Sequence, residues 1–127
     1  MIELWDKALE AAKEARALHV ANLPNGTVSR AYYAAFTAAR ALLVHKAGLN
    51  VTKIRRHAAV HKLCSEHLVR PGLLSPELGR DLRALFEDRA DADYSTTSLS
   101  CEDAQHAIAV MDRFLSEAAT LLGQPES

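Results

Sequence analysis

Three groups of residues have types and spacing that could do chemistry. The first is Arg89 with Asp93 and Tyr94. Leu78, Leu82 and Leu85 mark one face of a helical segment, and further steps of four reach Arg89 and then Asp93 on that face. Charge on a core face is costly unless it is paired. The pattern therefore reads in two ways: an internal Arg89–Asp93 pair at i,i+4 that closes the core, or a cleft or subunit seam where Arg89 meets a phosphate. The second group is Arg30, Tyr33, Thr37 and Arg40, at i, i+3, i+7 and i+10. Such a stripe can be a polar face within the fold, a subunit interface, or a strip for a nucleotide base and its phosphate. The third is His57, His61 and Cys64, at i, i+4 and i+7, spacing a metal could use. It lacks the glutamate of a zincin, and Cys64 also fits a core face with Val60, Leu63 and His67. No metal and no cofactor are expected. Arg55, Arg56 and His57 suit contact with an anion or an acidic helix end instead. His106 stands alone and reads as a surface residue. The chain has no glycine-rich phosphate loop and no Ser-His-Asp arrangement.

These residues need helices to position them. Every long segment has helical period, and none alternates as a strand would. The first helix is expected from about Glu3 to Val20, with Leu4, Ala8, Ala11, Ala15 and Leu18 as its apolar stripe. Asn22 to Gly26 breaks it. The second is expected from about Val28 to Ala47, stopping at Gly48. It is rich in alanine, which permits close helix approach, so it should sit centrally. Leu49 to Arg55 reads as a linker. A third helix is expected from about Arg56 to Val69, ended by Pro71-Gly72. Ser75-Pro76 reads as a cap with proline at the first helical position of a fourth helix, running to about Asp93. Tyr94 to Ser98 is a break. Ser100 and Asp103 form a capping-box pattern that opens a fifth helix, running to about Leu122. Gly123 to Ser127 reads as a frayed tail. The expected fold class is all-α: an antiparallel bundle of about five helices in a single domain, 1–127.

A chain of 127 residues, 49% hydrophobic and 24% charged, suits one soluble globular domain. No apolar run approaches the ~18 residues a membrane helix needs. Two cysteines, Cys64 and Cys101, make no disulfide framework, and a cytoplasmic setting with reduced thiols is expected. The net charge of −1 hides an asymmetry: between Ala15 and Ser65 there is no acid and there are eight bases, leaving all 16 acids elsewhere. The basic half points to an anionic partner, or to two halves that neutralise each other within one fold.

The strings Ser29-Arg30-Ala31-Tyr32-Tyr33-Ala34-Ala35-Phe36 and Arg89-Ala90-Asp91-Ala92-Asp93-Tyr94 resemble those of the small prokaryotic HEPN domains, in the branch with an S-R-A-Y-Y-A-x-F helix and an R-x-x-x-D-Y helix end. Lys53 to His57, Glu66 to Val69 and Pro76 to Leu78 also resemble that branch. The resemblance runs from about Trp5 to Leu122. It implies an RNA- or nucleotide-associated role in a toxin–antitoxin or defence setting, a homodimer, and a separate nucleotidyltransferase-type protein partner. HEPN ribonucleases carry an arginine, then four to six residues, then a histidine, and two subunits bring these motifs together across a dimer seam. Arg89 matches that arginine, but Tyr94 stands where the histidine is expected. A tyrosine titrates near ~10 and a histidine near ~6.5, so Tyr94 is a poor acid–base group at neutral pH. The resemblance thus implies Arg89 and Tyr94 as the catalytic pair's counterparts in a non-catalytic or weakly active protein. Arg30, Tyr33, Arg56, His57 and Asp93 are the candidate ligand contacts. Two alternatives stand beside this: a metal-independent endoribonuclease with a divergent site, using Arg89 and another histidine such as His57, and a structural dimerisation module.

Overall fold

The computed structural model describes residues 3–50, 56–94 and 98–126, and the side chains of all of these except residues 91–94. Five α-helices make up the fold, with no strand among the described residues: α1 (Glu3–Val20), α2 (Pro24–His45), α3 (His57–Cys64), α4 (Pro76–Tyr94) and α5 (Cys101–Leu122). A π-helical turn, Ser65–Val69, continues α3.

Side-chain contacts fix how the helices run. The Glu14–Arg30 pair joins the end of α1 to the start of α2, so these two form an antiparallel hairpin. Gly26 lets that hairpin close: a Cβ there would lie 3.2 Å from the Leu18 side chain. The Arg16–Asp112 pair joins the last part of α1 to the middle of α5, and the Trp5 indole N–H donates to the Pro125 carbonyl at 3.0 Å, so these helices are also antiparallel. That bond holds the segment expected to fray. On α4 and α5, Arg113 meets Asp81, and the Ser75 amide donates to Glu117.

As the alanine content implied, α2 is central, packed against α1, α3, α4, α5 and the π turn. Ala31, Ala34, Ala35, Ala38, Ala39 and Ala41 are all fully buried. The core around it takes Trp5, Leu42, Leu43, Val60, Leu68, Leu82, Leu85, Met111 and Phe114. On α1 the buried stripe is Trp5, Ala8, Ala11, Ala12 and Ala15. Leu4 and Leu18, expected on that stripe, are only half-buried.

Two boundaries of α2 depart from the sequence reading. It starts at Pro24, within the expected break, because a proline at the first helical position loses no hydrogen bond. It ends at His45, two residues before the expected stop. The capping box of α5 is present: the Asp103 amide donates to the Ser100 hydroxyl, and the Ser100 amide donates to the Asp103 carboxylate at 2.8 Å. Gly123, at φ +66°, closes the other end in the left-handed conformation that glycine adopts without steric cost.

Candidate functional site

At one end of the bundle, α2, the start of α3 and the last part of α4 enclose a cleft of about 250 Å³, lined by Ser29, Arg30, Tyr32, Tyr33, Phe36, His57 and Arg89. The helical step of α2 explains the division of labour. Tyr32 and Phe36, at i and i+4, face inward and are buried, while Tyr33 turns outward and is 39% exposed. Arg30 lies three residues before Tyr33, with its guanidinium carbon 4.6 Å from the centre of that ring. One terminal nitrogen of Arg30 reaches Glu14 at 3.1 Å, and its buried Nε makes no hydrogen bond. The cleft wall is therefore a cation held over an exposed aromatic face.

The floor is an aromatic box. The Tyr32 ring lies 5.5 Å from each of Phe36, His57 and Phe86, and 6.3 Å from His61. Its hydroxyl is 2.7 Å from His57 Nδ1 and 3.3 Å from His61 Nε2. Burial holds the Tyr32 phenol well above its usual range, so it remains an O–H across the physiological range. Burial, and then the Arg89 charge, lower the pKa of His57. Burial, helped by Arg83 and His57, lowers that of His61 to about 4. Both imidazoles are neutral at pH 7, so each has one nitrogen that donates and one that accepts.

A second cleft of about 250 Å³ lies on the far side of His61, between the π turn and α4; His61, Cys64, Ser65, Arg80 and Arg83 are among its lining residues. Burial pushes the Cys64 thiol up to about 12, which makes it an inert core group rather than a nucleophile.

Four of the candidate residues come together here: Arg30, Tyr33, His57 and Arg89. Arg89 is half-buried, as its place on the Leu78–Leu82–Leu85 stripe implied. Arg56 does not join them; it is exposed and precedes the first turn of α3. The side chains of Asp93 and Tyr94 lie outside the described residues, and with them the expected Arg89–Asp93 pair. So do Lys53 and Arg55. The proposed polar stripe on α2 divides: Thr37 is 1% exposed, and its hydroxyl makes no hydrogen bond, so it belongs to the interior. No group of three potential ligands among the described residues could hold a metal. His57 and His61 instead share the Tyr32 hydroxyl, and Cys64 is separately buried. The sequence offered His61 only as a possible metal ligand and Tyr32 only as part of a motif string, and it marked neither them nor Phe86 as parts of this cleft. The available signal was the i,i+4 pair His57–His61 beside a tyrosine-rich helix. Phe86 carried none, since it sits one residue past the core stripe.

Comparison with known proteins agrees with this architecture. Over 124 residues the chain is 35% identical to the UPF0332 protein glr0978 of Gloeobacter violaceus, covering 96% of this chain and 95% of that one. It is also 35% identical over 115 residues to a Methanocaldococcus jannaschii protein named "Putative toxin MJ0605", covering 91% of this chain and 81% of the relative. The HEPN domain family model matches residues 1–121, and the chain belongs to that family.

Proposed function

We propose that the cleft between α2, α3 and α4 binds a phosphate and an adjoining base of RNA or of a nucleotide. The observation that carries this is the meeting of Arg30, Tyr33, His57 and Arg89 around one cleft. Two guanidinium groups supply charge-assisted donors for phosphate oxygens. The exposed Tyr33 face supplies a stacking platform that accepts any base. The toxin name of one relative supports placing this activity in a toxin–antitoxin or defence system. A homodimer acting beside a nucleotidyltransferase-type partner chain is the assembly that the motif resemblance implies, and it is part of this proposal. Binding of a fluorescent single-stranded RNA, measured at two salt concentrations, tests the reading. Wild type should bind, more weakly at high salt, and Arg89→Ala and Tyr33→Ala should each weaken binding. Equal binding by all three proteins would refute it.

A second reading has its own support. A histidine that shares a cleft with Arg89 is what a divergent, metal-independent ribonuclease requires, and His57 is that residue. In this reading Arg89 stabilises the charged phosphate, while neutral His57 accepts the proton of the attacking 2′-hydroxyl. Cleavage in chelator, abolished in both Arg89→Ala and His57→Gln, would establish it. Binding without cleavage would leave the first reading alone.

A further inference from the structure

The bond pattern inside the aromatic box has a direction. His57 lines the first cleft, His61 lines the second, and the Tyr32 hydroxyl touches a nitrogen of each. The hydroxyl has one hydrogen. If it donates to His61 Nε2, it must accept from Nδ1–H of His57; if it donates to His57 Nδ1, it must accept from Nε2–H of His61. The first arrangement leaves His57 Nε2 a lone pair, a base. The second leaves it an N–H, an acid. Neither the remaining nitrogen of His57 nor that of His61 has a hydrogen-bond partner among the described residues.

We infer that His57, Tyr32 and His61 form a proton relay that joins the two clefts and sets whether His57 presents a base or an acid to the first. The inference rests on the second reading of function above, in which His57 is the proton acceptor. The balance is simple. A proton enters at His57 Nε2 from the substrate hydroxyl. The Nδ1 proton of His57 passes to the Tyr32 oxygen, and the Tyr32 proton passes to His61 Nε2. The Nδ1 proton of His61 leaves toward the second cleft. One proton enters, one leaves, and every group ends neutral. The charged and titratable groups around the relay fit this traffic. Arg89 bears on the His57 end and Arg83 on the His61 end, so a cation at either ring is disfavoured and protons move on rather than stay. The Cys64 thiol near Tyr32 is uncharged at neutral pH. Tyr32 and His61 are positioning residues here; only His57 lines the substrate cleft.

Nitrogen-resolved NMR of the imidazole rings at pH 7 reads the relay without requiring activity, because protonated and bare ring nitrogens resonate far apart. In wild type the tautomers of His57 and His61 should be correlated. Tyr32→Phe keeps the ring and removes the hydroxyl, so both histidines should change tautomer ratio while the rest of the spectrum stays folded. His61→Gln should shift the His57 ratio. Unchanged ratios in Tyr32→Phe, or a change confined to one ring, overturn the relay. If Tyr32→Phe fails to fold, His61→Gln decides alone. Adding a single-stranded RNA oligonucleotide to wild type probes the underlying reading separately. Unmoved His57 signals would count against the cleft as an RNA site, even with the tautomers correlated.

Discussion

Arg89 and His57 come from different helices, yet they line one cleft and the arginine bears on the histidine's chemistry. Burial, and then the arginine charge, lower the pKa of His57, which keeps the imidazole neutral and ready to accept a proton at pH 7. Replacing Arg89 with alanine should cost about tenfold or more in RNA affinity, since hydrogen bonds to charged groups contribute roughly 1.5–3 kcal/mol. A binding titration beside a thermal melt separates this from a folding defect, because loss of a structural pair would lower both. His61 gives a second expectation at this scale. Its folded pKa of about 4 lies below the ordinary histidine value of 6.5, so the unfolded chain takes up its proton first as pH falls. The stability gained by keeping it neutral is complete above pH 6.5 and is lost progressively toward pH 4. Taken between these two values the loss would be about 3 kcal/mol, and solvent screening at this incompletely enclosed ring brings it to roughly 2 kcal/mol. Carboxylates also titrate near the lower end, so the readout is a difference: melts between pH 7 and 4.5 should fall more steeply for wild type than for His61→Gln. Parallel slopes would refute a neutral buried His61. The sequence displayed Arg89, Arg30, Tyr33 and His57 as chemically able residues. It did not display the Tyr32 hydroxyl as the link between His57 and His61, because a bond between residues 32 and 57 depends on how α2 and α3 cross, which no local spacing encodes.

Helix ends were legible where a side chain or a proline marks them. Ser100 with Asp103, Pro76 and Gly123 each announce a boundary that the structure places within a residue or so. Ser100→Ala should cost about 1 kcal/mol, the usual worth of an N-cap, read as a lowered denaturation midpoint at unchanged slope. The π-helical turn Ser65–Val69 was not legible: its composition is ordinary for an α-helix, and the wider turn is a property of the backbone path before Leu68 enters the core. The start of α2 was misjudged because Pro24 serves equally well in a loop and at the first helical position. The central place of α2 followed from its alanines, and it can be tested through them. Ala38 is fully buried, and no neighbour can withdraw without opening the core. Ala38→Leu should therefore destabilise by about 1–3 kcal/mol, whereas the same change at exposed Ala84 should be nearly neutral.

At the scale of the whole molecule the charge asymmetry resolves in part. Arg16–Asp112 and Arg30–Glu14 each join a base of the acid-free stretch to an acid outside it, so the two halves do meet within one fold. Both pairs are surface-exposed and contribute little to stability, so the basic stretch keeps most of its capacity to attract an anion. Assembly is the other question at this scale. The family resemblance implies a dimer whose seam gathers the reactive residues, whereas Arg89 and His57 here line one cleft of a single chain. These statements are compatible if a dimer carries two self-sufficient clefts. Sedimentation at micromolar concentration should then give twice the 13.9 kDa chain mass. A mixing experiment goes further. Arg89→Ala and His57→Gln protomers, unfolded together and refolded into mixed dimers, should recover no RNA binding or cleavage, because every cleft would still lack one residue. Recovery approaching half of the wild-type level would mean that the partner protomer supplies the missing group. The functional cleft would then be one built across the seam.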